Sequence, residues 1–430
     1  MSLENKLFTH PFQKIVTNKN GDLLFALIKD TFQVYSLTKD FQKIFEFKDS
    51  LPQIIEKEIE TTKVDDDGKT IKKKKKKSSN YQPNKHQLEN YEFLRAISLS
   101  KNEQQVYIIS DFEKSVIIFN ITYEEKEIRF DFFKKQSFPK RPNCLTSFEE
   151  NLYIGDKFGD VYHIKNNDAS VIKPEEMKPI LGHVGLLTNV EHLQDESGKN
   201  YLLSVDRDEH LKLSHLPQSF ILNKFIFGHK EFISTLVVLD SYLISAGGDD
   251  FIMVSNWKTG EVLDKYNYLD LIKDDDIVEK IHNALPRFQK EGQDTIREFC
   301  ISQLFHNTKD NKIIAIIEGV SKIFVFDFEN GKLVLNKTTK IDDTILSVAN
   351  GPESEEASLI YNTNNQSETG HLIGFVKSDY TCNNGKTKAF NNALQSQNND
   401  FKDFVVTNED FDLCPIYFNH NLRKHADVFP

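Results

Sequence analysis

Short apolar runs punctuated by glycine, asparagine and aspartate recur along the whole chain. Leu23–Ile28 is followed by a polar turn and then by Phe32–Leu37. Val106–Ile109, polar Ser110–Lys114 and Val116–Phe119 repeat the arrangement, as do Asn151–Ile154, Gly155–Asp160 and Val161–Ile164. A fourth unit sets Tyr201–Ser204 and His210–Ser214 around the charged turn Val205–Glu209, and a fifth sets Tyr242–Ser245 and Phe251–Ser255 around Ala246–Asp250. Ile313–Ile317 and Lys322–Phe326 form a sixth across Glu318–Ser321. A weaker seventh begins near Ile345 and includes Leu359–Tyr361 and Leu372–Phe375. Such runs, bounded by turn formers, predict strand–turn–strand units. The central ones recur about every 40 to 50 residues, the period of propeller blades. Each blade buries its faces against two neighbours, so none has to fold alone. The pattern therefore predicts an all-β fold, a single seven-bladed β-propeller over residues 1–390.

Two segments break the period. Residues 58–86 have no apolar periodicity and contain Asp65–Asp67, Lys72–Lys77 and Ser78–Asn80, which predicts a flexible, disordered Lys-rich insertion between blades one and two. Leu271, Ile277, Ile281 and Leu285, with Pro286 as a stop, predict a short helix, after which Ile296–Phe299 re-enters the sheet. Residues 391–430 read as a polar C-terminal tail, within which Pro415–Phe418 is a candidate docking segment and Asn421–His425 is basic.

The 430 residues include 34 Phe and 14 Tyr, which favour strands, and 39% hydrophobic residues, enough for a core. No apolar run approaches the ~20 residues of a membrane span, and the first residues lack the apolar stretch of a secretory signal. Cys144, Cys300, Cys382 and Cys414 lie far apart, which points to reduced thiols in a cytosolic or nuclear protein rather than a disulfide framework or zinc site. Net charge is −11, although 57–77 holds nine lysines against five carboxylates, so the remainder carries −15. Phosphate repels an acidic body, so any RNA contact is expected to be local or made by a partner. Lys72–Lys77 fits a nuclear localisation signal, a flexible arm on RNA phosphate, or a solvated loop.

Candidate chemistry is sparse. There is no P-loop, dinucleotide fingerprint or Gly-x-Ser-x-Gly elbow. Gly247–Gly248, followed by Asp249 and Asp250, reads as a tight turn. No catalytic, cofactor or metal residue is predicted; the histidines near Asp206, Asp208, Asp249 and Asp250 are better explained as structural. Gly182–His183 and Gly228–His229 lie 46 residues apart, each followed by an Asp in the next turn. A buried His held by a turn Asp is the internal clip of WD-repeat blades, which predicts the pairs His183 with Asp208 and His229 with Asp249. Ser204 and Ser245 match the serine that opens the corresponding pattern. In Ser204–His215, alternation places Leu211 and Leu213 on one face and His210, Lys212 and Ser214 on the other. Arg207 and Lys212 then either pair locally or present a charged rim to a protein.

The Asp-Arg-Asp-Glu-His core of Ser204–Ser214 resembles the signature blade of the non-catalytic WD-repeat subunit of eukaryotic tRNA (guanine-N7-)-methyltransferase. Asp156–Tyr162, Phe227–Ser234, Ser245–Asp250 leading to Trp257–Gly260, and Gly182–His183 with Leu186–Thr188 fit the same family. The lysine-rich insertion is similar to that of fungal members. The resemblance implies a non-catalytic seven-bladed propeller that forms a heterodimer with a catalytic subunit and holds it in its active arrangement; the lysine run sets the expected location in the nucleus. S-adenosylmethionine is expected on that partner, as is most of the tRNA contact. It implies a contact from Lys212 to an acidic residue of the partner, with Arg207 and Lys224 as further candidates on the same side. A general WD-repeat adaptor, in ribosome assembly or ubiquitin ligation, and a propeller enzyme are the alternatives.

Overall fold

The computed structural model describes residues 8–49, 59–64, 70–75, 93–124, 127–284, 289, 295–352, 356–366, 371–397, 404–406, 416 and 419–422. Residues 1–49 with 92–430 form one compact unit and residues 50–91 another. In the smaller unit Ile59–Val64 and Thr70–Lys75 pair as an antiparallel ribbon, Ile59 opposite Lys75. The rest of the expected 58–86 insertion lies outside the described residues.

The larger unit is the predicted seven-bladed propeller. Six antiparallel meanders have four strands each. Blade one is Lys14–Thr17, Leu23–Ile28, Thr31–Ser36 and Lys43–Lys48. Blade two is Leu94–Leu99, Gln105–Ser110, Ser115–Tyr123 and Ile128–Ser137, and blade three is Pro142–Phe148, Asn151–Asp156, Asp160–Lys165 and Leu181–Gly182. Blade four is Leu187–Gln194, Asn200–Asp206, Leu211–His215 and Leu222–Ile226, and blade five is Ile233–Leu239, Tyr242–Gly247, Phe251–Asn256 and Val262–Asn267. Blade six is Ile301–Asn307, Lys312–Ile317, Lys322–Glu329 and Lys332–Lys340. Blade seven has three strands, Ile345–Asn350, Leu359–Thr363 and Ile373–Val376. The first strand of each blade touches the first strand of the next, and blade seven's returns to blade one's, so the ring closes.

Each blade interface has its own apolar cluster. Leu27, Phe32, Ile108 and Phe119 join blades one and two; Tyr107, Ile118, Leu152 and Tyr162 join two and three. Val161, Leu181, Leu187 and Leu202 seal three against four, and Leu203, Leu211, Leu213, Leu243 and Met253 seal four against five. Burying one such side chain stabilises the fold by about 1.5–3 kcal/mol. In Leu23–Ile28 all six residues are buried, as a strand packed on both faces requires.

Blade seven replaces its fourth strand with a helix, Asn384–Gln397. The buried Asn391 side chain accepts from Leu372 N–H (2.8 Å) and donates to the Ile373 carbonyl (2.6 Å). Thr387 Oγ1 accepts from Phe375 N–H at 3.1 Å. Side-chain amide and hydroxyl thus pair the edge strand's backbone where another strand would, and Phe390 and Leu394 cover the apolar face. This corrects the expected boundary at 390/391, because residues 391–397 belong to the ring and not to a polar tail. Beyond the helix, Val405–Val406 pairs with Phe8–Thr9, and Ile416 is buried.

Between blades five and six the predicted helix is the single turn Glu279–His282. The sheet resumes at Ile301; Ile296–Phe299 stays outside it, with one isolated bridge from Arg297 to Asn283. Among the described residues no helix is long and apolar enough to cross a membrane, and no three His, Cys, Asp or Glu side chains are grouped to hold a metal ion.

Candidate partner-docking face

The rim on which the connections between blades meet the turns between second and third strands carries the His–Asp clips. His183 follows the last strand of blade three and reaches into blade four. Its Nδ1 donates to Asp206 Oδ2 at 2.8 Å, and its Nε2 meets Ser204 Oγ at 2.7 Å. The clip partner is therefore Asp206, two residues before the predicted Asp208. Asp206 closes the turn by accepting from the N–H groups of Asp208 (2.8 Å) and His210 (3.0 Å), and its other oxygen faces inward. Asp208 points away and packs over Gly185. Burial alone would raise the Asp206 carboxyl; the hydrogen bonds from His183, His210 and Asp208 outweigh it and hold it below the ordinary carboxylate value. In blade five the predicted pair is as expected: His229 Nδ1 donates to Asp249 Oδ2 at 2.8 Å, and Nε2 meets Ser245 Oγ at 2.8 Å.

These Ser–His–Asp sets have the hydrogen-bond pattern of a hydrolytic triad, but Ser204 and Ser245 are wholly buried inside their blades. A nucleophile needs access to a carbonyl, so the sets brace blades and do no chemistry. Other blades solve the same bracing problem differently. Ser110, at the corresponding place in blade two, donates to Asp49 Oδ2 (2.5 Å), whose Oδ1 takes Lys135 Nζ at 2.8 Å. Before blade six, His282 Nε2 donates to the Glu318 carbonyl at 2.8 Å. Blade three has no such His, and Asp156 Oδ2 is buried without a hydrogen-bond partner, so burial raises that carboxyl. No Gly-His pair marks these variants, which is why motif reading missed them.

Lys212 lies on the third strand of blade four, opposite Phe225 of the outer strand. Its ammonium donates to the Gly182 carbonyl of blade three at 3.1 Å. Partial burial lowers its pKa, and the Asp206 charge opposes that shift. Register pairs Lys224 with Leu213 instead, and Leu213 packs towards blade five. Lys224 Nζ accordingly donates to the Lys258 carbonyl of blade five. Neighbouring positions on one strand point to opposite faces, so Lys224 does not share a side with Lys212 as expected. Arg207 sits in the turn, its N–H held by the Leu186 carbonyl at 2.9 Å. His210 is within 6.1 Å of the Phe225 ring, and Phe225 is 5.8 Å from Phe227.

The outer strand of blade four and the residues flanking it expose a run of apolar side chains. Phe220 is 80% exposed and Phe227 71%, and Ile221, Leu222 and Phe225 between them are exposed as well. Val184, beside the His183 clip, is almost fully exposed. Lys212, opposite Phe225 in register, and His210, beside its ring, adjoin these exposed apolar side chains.

A closed ring of blades, two of them braced by buried Ser–His–Asp sets, defines the class: a WD40-type propeller. The WD40 repeats of RRP9 (TM-score 0.56, 11% identity, 85% of this chain and 92% of that one) and U3-55K (TM-score 0.55, 11% identity, 85% and 93%) have the same fold. The family described as the tRNA methyltransferase TRM82 WD40 domain matches residues 24–175 and 163–380. The tRNA (guanine-N(7)-)-methyltransferase non-catalytic subunit TRM82 of Kluyveromyces lactis is 33% identical over 98% of this chain and 99% of its own. The subunits of the same name from Saccharomyces cerevisiae (31%; 98% and 99%) and Debaryomyces hansenii (31%; 97% and 99%) are similar to it over nearly their whole lengths. The chain belongs to the TRM82 family.

Proposed function

We propose that this protein is the non-catalytic half of a heterodimeric tRNA (guanine-N7) methyltransferase, docking its catalytic subunit on the outer flank of blade four. The observation that carries this reading is the run of exposed side chains Phe220, Ile221, Leu222, Phe225 and Phe227 beside Lys212, on a chain whose relatives are named non-catalytic subunits. Apolar area supplies attraction, and a half-buried lysine facing an acidic residue of the partner sets the register. S-adenosylmethionine and most of the tRNA then belong to the catalytic subunit, which fits a net charge of −11 on this one.

Lys212→Glu tests the docking face. The propeller should melt as the parent does, while affinity for the catalytic subunit falls at least about tenfold, read by co-purification and titration. Retention of a full-strength, active heterodimer would remove Lys212 from the interface, and capture of some other protein instead would turn the reading towards a general adaptor. The Lys72–Lys77 run supports nuclear import; deleting it should move a fluorescent fusion to the cytoplasm, and unchanged distribution refutes that role.

A further inference from the structure

The first strands of the seven blades meet around the central channel of the ring, and their register sets one level of side chains there. In blades two to seven the first strand bulges near its start. The residue just past the bulge pairs with the second strand: Ala96 with Ile109, Cys144 with Gly155, Asn189 with Val205, Thr235 with Ala246, Gln303 with Ile316 and Ser347 with Asn362. Lys14, opposite Leu27, holds the equivalent place in blade one. Three of these side chains tie their blade to the next. Ser347 Oγ accepts from Ile15 N–H (3.2 Å), Thr235 Oγ1 accepts from Leu304 N–H (2.9 Å), and Gln303 accepts from Val348 N–H (2.9 Å) and donates to its carbonyl (3.1 Å). Lys14 forms no such tie: its ammonium has no hydrogen bond or ion pair among the described residues. The Asn189 amide likewise has no partner among them, and the Thr235 hydroxyl accepts without donating. None of the seven residues at this level is a carboxylate. Among the other charged side chains on the first strands, Arg95 is spent on Asp111, and Glu191 lies two residues beyond Asn189 and is met by Thr146. Protein encloses the Lys14 ammonium, and burial alone lowers its pKa to about 8, so at neutral pH it stays charged with nothing opposite it. An enclosed cation in the company of amide and hydroxyl donors is costly until an anion joins them.

We propose that the central channel holds a small oxyanion at this level, a phosphate or a carboxylate, paired with Lys14 and facing the donors of Asn189 and Thr235. Such a ligand joins blade one to blades four and five across the axis and so stabilises the closed ring. The site is separate from the docking face, because Lys212 lies on the third strand of blade four and not on a first strand.

The test uses the purified full chain in a buffer whose only anion is chloride, at fixed ionic strength. Inorganic phosphate and acetate are titrated separately and followed by calorimetry and melting temperature. Saturable binding should raise the melting temperature, since a ligand of the folded state alone stabilises it. Phosphate acting alone marks a phosphate site, acetate acting alone a carboxylate site, and both together an unselective oxyanion site. Lys14→Met should weaken binding at least about tenfold, and Lys14→Arg should keep it. Asn189→Ala should weaken it about threefold. Affinity should fall about tenfold or more between about pH 7 and about pH 9.5, as the ammonium loses its proton. Should Lys14→Met not fold, Lys14→Gln takes its place. No saturable binding by the parent chain, or equal binding by the Lys14→Met chain, overturns the proposal. Each of these readings is made without the catalytic subunit, so failure here leaves the docking face standing.

Discussion

At the scale of single residues, environment decides what each titratable group does. Glu191, on the first strand of blade four, accepts a long contact from Thr146 Oγ1 at 3.4 Å and a backbone hydrogen bond from His192. Burial raises its pKa from 4.5 to about 7, against the opposing charge of Lys101. The folded state thus holds a proton that the unfolded chain has released, and stability falls as pH rises from about 4.5 to about 7. Glu191→Gln removes the ionising group. It should raise stability by up to about 3 kcal/mol above neutral pH and by almost nothing in acid, read from denaturant midpoints at both ends. An equal effect at both pH values would mean that packing, not ionisation, governs the site. Residue identity also shows the reach of motif reading. Gly-His pairs announced His183 and His229, but the choice of Asp206 over Asp208 depends on which carboxylate of the turn Asp-Arg-Asp points inward. That orientation is set when Asp206 caps the N–H groups of Asp208 and His210.

Among elements, the middle two strands of each blade were legible and the outer two were not. Leu23–Ile28 and Thr31–Ser36 are buried throughout; the first stands out as a continuous apolar run and the second by its apolar Phe32, Val34 and Tyr35. Inner strands such as Lys14–Thr17 are only partly buried, and outer strands such as Lys43–Lys48 are half exposed; both carry too weak a pattern. The helix Asn384–Gln397 was invisible for another reason. It is polar in composition, and its work is done by Asn391 and Thr387, which supply the missing hydrogen bonds of an edge strand. Asn391→Ala should cost about 2–4 kcal/mol, because it strands the buried Leu372 N–H and Ile373 carbonyl, and thermal or chemical denaturation measures that loss. A loss within about 0.5 kcal/mol would mean that water takes the place of the amide.

For the whole molecule, closure is the governing event. Blade seven's first strand lies against blade one's, with Ile15 N–H bonded to Ser347 Oγ (3.2 Å) and Asn362 Oδ1 taking the Ser347 hydroxyl at 2.6 Å. The C-terminal helix completes this junction, its Phe390 ring 5.0 Å from Phe41 and 6.0 Å from Tyr35 of blade one. Truncation after Asn383 uncovers this aromatic cluster and leaves the closing edge unpaired. The shortened chain should melt far below the parent or aggregate on expression, and a shortened chain with unchanged melting would show the helix to be dispensable.

The sequence by itself determined that this chain is a ring of β-blades, because strands packed on both faces must be apolar and must recur at the blade period. It also marked the blade whose charged turn identifies the family. Tertiary structure alone decided which carboxylate braces which histidine, that Lys224 and Lys212 look opposite ways, and that a polar helix stands in for a strand. It alone set Lys14 level with Asn189 and Thr235 around the channel. Those outcomes turn on register and on contacts between loops distant along the chain, and periodicity carries no information about either.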